Sequence, residues 1–119
     1  MSYEGASARF SEAIEAMATS SQPSIQQRLA IAYMFHLGSV EPDELPIEVE
    51  SQFRVIKDKL TRIPGKDGTG TIVATTDAMS AQEALGIAKE LVHISHIVAA
   101  EHHRLELLDY RLLPGIPRH

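Results

Sequence analysis

Apolar residues recur along this chain every three or four positions in four stretches, the spacing that places them on one face of an α-helix. In the first stretch Ala6, Phe10, Ala13, Ile14 and Met17 lie opposite Arg9, Glu12 and Glu15, which predicts a helix over residues 4–19. Ser20, Ser21 and Pro23 stop it. Ser24 followed by Gln27 reads as a capping box, in which side chain and backbone satisfy each other's hydrogen bonds, and opens a second helix over 24–38 that ends near Gly38. Pro42 or Pro46 suits a first helical turn, where a missing N–H costs nothing, and Asp43 and Glu44 favour the positive end of the dipole. The third helix, over 43–63, carries the stripe Val49, Phe53, Ile56, Leu60 and Ile63, with Glu50/Arg54 and Asp58/Arg62 paired on its outside. Pro64-Gly65 terminates it.

Residues 64–79 are rich in Gly and Thr, and the β-branched run Thr71-Ile72-Val73 predicts an extended stretch. A lone strand leaves backbone groups unpaired, so this segment either pairs with its copy in another subunit or lies against the helices as an ordered loop; the loop is preferred. Ser80 with Glu83 makes a second capping box, from which helical pattern runs to Tyr110, over 80–110 and ~45 Å at 1.5 Å per residue. The prolines and glycine of residues 114–119 predict a flexible tail. The expected architecture is all-α: a four-helix bundle-like single domain over 1–113, with three short helices and one long C-terminal helix.

At 100° per residue, Ala84, Leu91, Val98 and Leu105 of the last helix form one line, flanked by Ile87, Ile94 and Leu108. A second line, Leu85, Val92 and Ala99, sits about a quarter turn away, and Ile97 lies on the far flank, so the apolar arc exceeds the ~100° that a surface helix needs. Helix two resembles it, because Leu29-Ala30-Ile31-Ala32-Tyr33-Met34-Phe35 leaves no continuous polar face. A helix much longer than its neighbours also leaves Leu105, Leu107, Leu108 and Leu112 beyond the others unless another chain covers them. The sequence therefore predicts a homodimer through Leu85, Val92, Ala99, Ile97, Leu105, Leu107, Leu108 and Leu112, involving helices two and four, with a helical segment of another protein as a further partner.

Composition narrows the remaining classes. The 119 residues include no cysteine, which removes disulfides, thiolate nucleophiles and Cys-based zinc sites. The longest apolar run, Leu29 to Phe35, is too short to span a bilayer, and Met1-Ser2-Tyr3-Glu4-Gly5 lacks the basic and apolar regions of a secretory signal, so no membrane is expected and a cytoplasmic location is. A net charge of -5 opposes binding to a phosphate backbone, and no nucleic acid is expected. Arg54, Lys57, Lys59, Arg62 and Lys66 scatter around helix three among Glu50 and Asp58 rather than forming a stripe.

Six histidines invite a metal-site reading. His93 and His96 are three apart on one helical face and His103 lies two turns further on, a weak ligand set and the basis of the alternative function, a metal- or small-ligand-binding bundle. Lys89, one turn before His93, would repel a cation. The run Glu90-Leu91-Val92-His93 is a single E-x-x-H match, whereas di-iron carboxylate bundles need two with two further glutamates. His36 and His102 fall on or beside apolar faces, either hydrogen-bonded to a carbonyl or to a hydroxyl such as Tyr33 or Ser95, or acting as pH-sensitive groups at the interface. Gly65-Lys66-Asp67-Gly68-Thr69-Gly70-Thr71 lacks the phosphate-loop pattern and reads as a flexible loop. No serine lies in a G-x-S-x-G turn, and the pairs Glu12/Glu15 and Glu48/Glu50 sit on solvated faces. No catalytic set and no cofactor are expected.

Overall fold

The computed structural model describes residues 3–65 and 70–112, with side chains described as far as Asp109. These residues are all-helical, without a strand among them. Five α-helices follow in order: α1 Glu4–Thr19, α2 Ile25–Ala32, α3 Ile47–Leu60, α4 Thr71–Asp77 and α5 Ala81–Leu112. A wide π turn, Tyr33–Leu37, prolongs α2, and a 3-10 turn, Pro42–Glu44, precedes α3.

Each helix buries the face its periodicity marks. Ala6, Phe10, Ala13 and Met17 of α1 meet Val49, Phe53, Ile56 and Leu60 of α3 and Ala84, Ile87, Ala88, Leu91, Ile94 and Val98 of α5 in one core cluster. Phe10 and Phe53, both inaccessible, pack edge to face with ring centroids 5.3 Å apart, the arrangement that the ring quadrupoles favour. Helix α5 contacts α1, α2 and α3, so it is the common wall of the structure.

Two caps form as the residue types dictate. At α2, Gln27 N–H donates to Ser24 Oγ at 3.1 Å and Ser24 N–H donates to Gln27 Oε1 at 3.3 Å, which completes the box. At α5, Glu83 N–H donates to Ser80 Oγ at 3.0 Å, while the Glu83 carboxylate accepts Arg62 at 3.0 Å and so ties the end of α3 to the start of α5.

Three boundaries differ from expectation. Within the expected loop over 64–79, Thr71–Asp77 instead form α4, which makes four short helices and one long one in place of three and one. The threonines that favour extended backbone are satisfied inside the helix: Thr75 Oγ1 donates to Thr71 O at 2.8 Å and Thr76 Oγ1 to Ile72 O at 3.0 Å. Both side chains are buried, and Thr75 Oγ1 also accepts the backbone N–H of Ile63 at 3.1 Å, so tertiary packing overrides the β-branched preference. Helix three, expected over 43–63, begins only at Ile47 and ends at Leu60, because Leu45 is extended before Pro46 and the Ile63 N–H is taken by Thr75. Helix two leaves the α register at Tyr33, where Gly38 N–H donates to Tyr33 O at 2.7 Å, five residues back. The wider turn keeps Leu37 in the core line of Leu29 and Tyr33 and turns Met34 and Phe35 outward. Residues 66–69, which include the centre of the glycine-rich run and Lys66, and the tail 114–119 lie outside the described residues.

Candidate interaction surfaces

The expected interface residues of α5 fall on two different faces. Leu85, Val92, Ala99 and Leu107 project within about 80° of one another at 100° per residue, centred about a third of a turn from the core stripe. Ile97, Leu105 and Leu108 lie more than about 80° further round, toward the core side. Leu85 and Leu107 are each 45% exposed, Leu108 is 40% exposed and Ala99 is exposed, whereas Val92 and Leu105 are half-buried. Ile97 packs against the core, so it belongs to the fold rather than to an open surface. The Leu112 side chain lies outside the described residues.

The outer line of α5 borders a groove. Leu85, Ala88 and Val92 face Ile14, Met17 and Ala18 of α1 across a cavity of about 240 Å³ with an apolar floor, and Lys89 stands at its α5 edge. Ala88 is buried at its base, while Ala18 is exposed at its α1 side. The α1 half of this groove is not apparent from α5 periodicity; the spacing of Ile14 and Ala18, on the flank of the α1 core stripe, is the signal for it.

A second concavity of about 290 Å³ lies on the other flank of α1, lined by Glu12, Glu15, Ala16, Thr19 and His36. His36 Nδ1 is 3.2 Å from Glu12 Oε2, so the half-buried imidazole pairs with a carboxylate rather than with a carbonyl or hydroxyl. His102 likewise meets Glu106, with Nε2 3.3 Å from Oε1 one turn along α5. Arg104 donates through Nε and Nη2 to Glu101 Oε2 at 3.1 and 2.9 Å, and this hydrogen bonding, reinforced by the negative charge of Glu101, holds the guanidinium above its ordinary pKa.

His93, His96 and His103 are all exposed. Among the described residues no group of three His, Asp or Glu side chains is placed to hold a metal ion. Lys57 does have a defined seat: Nζ lies 5.2 Å from the ring centroids of both Tyr33 and Phe53 and donates to Tyr33 Oη at 3.2 Å and Gly38 O at 3.3 Å. This ammonium tethers the end of the π turn to α3, where a cation suits unsatisfied carbonyls. Phe35, 67% exposed on that turn, belongs to the helix-two run expected in the interface, whereas Ile47, 78% exposed at the start of α3, is a surface apolar residue outside it. Among the described residues no helix is long and apolar enough to cross a membrane.

Over 52 residues the chain is 44% identical to phosphoglycerate kinase of Nostoc punctiforme and, to the same extent, of a second Nostoc strain. The matched stretch is 44% of this chain and 12% of each kinase, so the chain spans only a small part of these curated relatives. No protein-family model matches the chain, and no solved structure matches it.

Proposed function

We propose that this chain is a non-enzymatic helical interaction module, a single domain over residues 1–113 that pairs with a second copy of itself through the outward face of α5. The carrying observation is the exposure of Leu85 and Leu107, at 45% each, on the same side of a helix whose opposite side supplies the core. Exposed leucines in line on a helix lose water contact only if another surface covers them, and a symmetric pair is the commonest way to do so. A cytoplasmic location and a further apolar contact with a helix of another protein complete the proposal.

Size-exclusion chromatography with light scattering at tens of micromolar tests it. The wild-type chain, 13.1 kDa as a monomer, is expected at twice that mass. Val92→Glu and Leu107→Glu, which place a charge on the outward face, are expected to shift it toward the monomer while retaining helical circular dichroism. A monomer mass for the wild type overturns the proposal.

A further inference from the structure

We infer that the part of α5 beyond Val98 pairs end to end with the same part of a second copy, antiparallel and through its core-side face. This goes beyond the pairing proposed above, which uses the outward face of Leu85 and Leu107, and does not depend on it.

Past Val98 the helix runs from residue 99 to Leu112, ~21 Å at 1.5 Å per residue, and none of its described side chains is buried. Leu105 continues the line of Val98 to within about 20°, and Leu108, 40% exposed, lies about 60° to one side of Leu105. Before this stretch the core-side face is covered, because α1, α2 and α3 all contact α5. The body of the fold ends near Arg104, whose guanidinium feels the negative charge of Glu48 in the first turn of α3.

That shape admits one orientation of a second copy. In a parallel pair joined through this face, both bodies would fall between the two α5 helices at the same height. In the antiparallel pair each body lies beyond the end of the other's α5, and the two 99–112 stretches overlap along their whole length.

The charges agree with that orientation. His102 and Asp109 stand on one edge of the face, about 60° and 40° from Leu105, and equally far from the midpoint of residues 99–112. A two-fold axis through that midpoint joins like edges with the direction reversed, so His102 meets Asp109 of the second copy twice, with the two Leu105 side chains between. Asp109 makes no ion pair among the described residues, and the carboxylate recorded beside His102 is Glu106 of its own helix. On the other edge Arg104 is already neutralised by Glu101. The overlap buries on the order of 500 Å² per copy, the low end for a specific interface, so this contact belongs at concentrations of ~100 μM.

The chain has no cysteine, so Leu105→Cys and Leu107→Cys, each placed in the Val92→Glu background that breaks the outward contact, report the two faces separately. At ~100 μM with a short bis-maleimide, Leu105→Cys is expected to cross-link to itself about 10-fold faster than Leu107→Cys, with circular dichroism melts to establish that all variants fold alike. Adding His102→Asp, which sets carboxylate against carboxylate twice, is expected to slow the Leu105→Cys reaction by about 5-fold. The swap His102→Asp/Asp109→His is expected to bring it back to within about 2-fold. Equal rates at the two cysteines, or a faster one at Leu107→Cys, overturn the core-side face. A loss with His102→Asp that the swap does not recover overturns the antiparallel register. Either result leaves the outward-face pairing standing, since light scattering of the wild type at tens of micromolar tests that reading by itself.

Discussion

Thr75 concentrates more structural consequence than its place in a Gly- and Thr-rich segment implies. Its inaccessible hydroxyl donates to Thr71 O within α4 and accepts from the Ile63 N–H at the end of the α3 segment, so one side chain closes the connection between the two helices. Thr75→Val keeps the shape and removes the hydroxyl, leaving the Ile63 N–H without its partner. The expected cost is about 1–2 kcal/mol, read as a drop of about 4 °C in Tm per kcal/mol by calorimetry. Unchanged Tm would mean that the hydroxyl is replaceable by water. Lys57 shows a related logic within α3: a charge expected among scattered surface cations is seated between two aromatic rings and a carbonyl. Neither role can be seen in local spacing, because each depends on a partner at least 12 positions away.

Periodicity locates the long helices well because their apolar faces are what the fold buries. The α3 stripe is the clearest case, and at its centre Phe53 is inaccessible against Phe10. Phe53→Ala removes the ring from both the core and the edge-to-face pair, and it is expected to destabilise the chain by about 3–5 kcal/mol in chemical denaturation, with Phe53→Leu costing markedly less. Equal losses would place the energy in the aromatic pair rather than in filled volume. The π turn was hidden for a physical reason: Leu29, Tyr33 and Leu37 are spaced by four residues throughout, and only contact with the core decides that the turn widens to keep all three inside. Helix α4 was hidden by its β-branched threonines, whose preference for extended backbone yields once their hydroxyls bond carbonyls within the helix.

At the scale of the whole molecule, the outline of 60 × 26 × 23 Å and a radius of gyration of 16.7 Å, against ~13.5 Å for a compact domain of this length, reflect an α5 of 32 residues, ~48 Å at 1.5 Å per residue. Among the described side chains Val98 is the last buried position of α5, and the helix continues to Leu112 with Leu107 and Leu108 exposed. Amides from Glu101 onward are therefore expected to exchange with solvent much faster than those of Leu91 and Ile94 in hydrogen-exchange measurements on dilute protein. Equal protection along the whole of α5 would place a covering surface over its C-terminal half. The expected interface residues divide at this scale too: Leu85, Val92 and Leu107 share one side of α5, while half-buried Ile97 packs against the core.

From sequence alone, the all-helical class, the long last helix, the caps at Ser24 and Ser80 and the principal buried stripes were determined, because each depends on residues within a turn or two of one another. Tertiary structure alone decided that Thr71–Asp77 is a helix, that Tyr33–Leu37 opens into a π turn, and that Ile14 and Ala18 of α1 join Leu85 and Val92 of α5 in one groove edged by Lys89. Those features arise where segments distant in the chain compete for the same space and the same hydrogen bonds, and local spacing carries no record of which partner prevails.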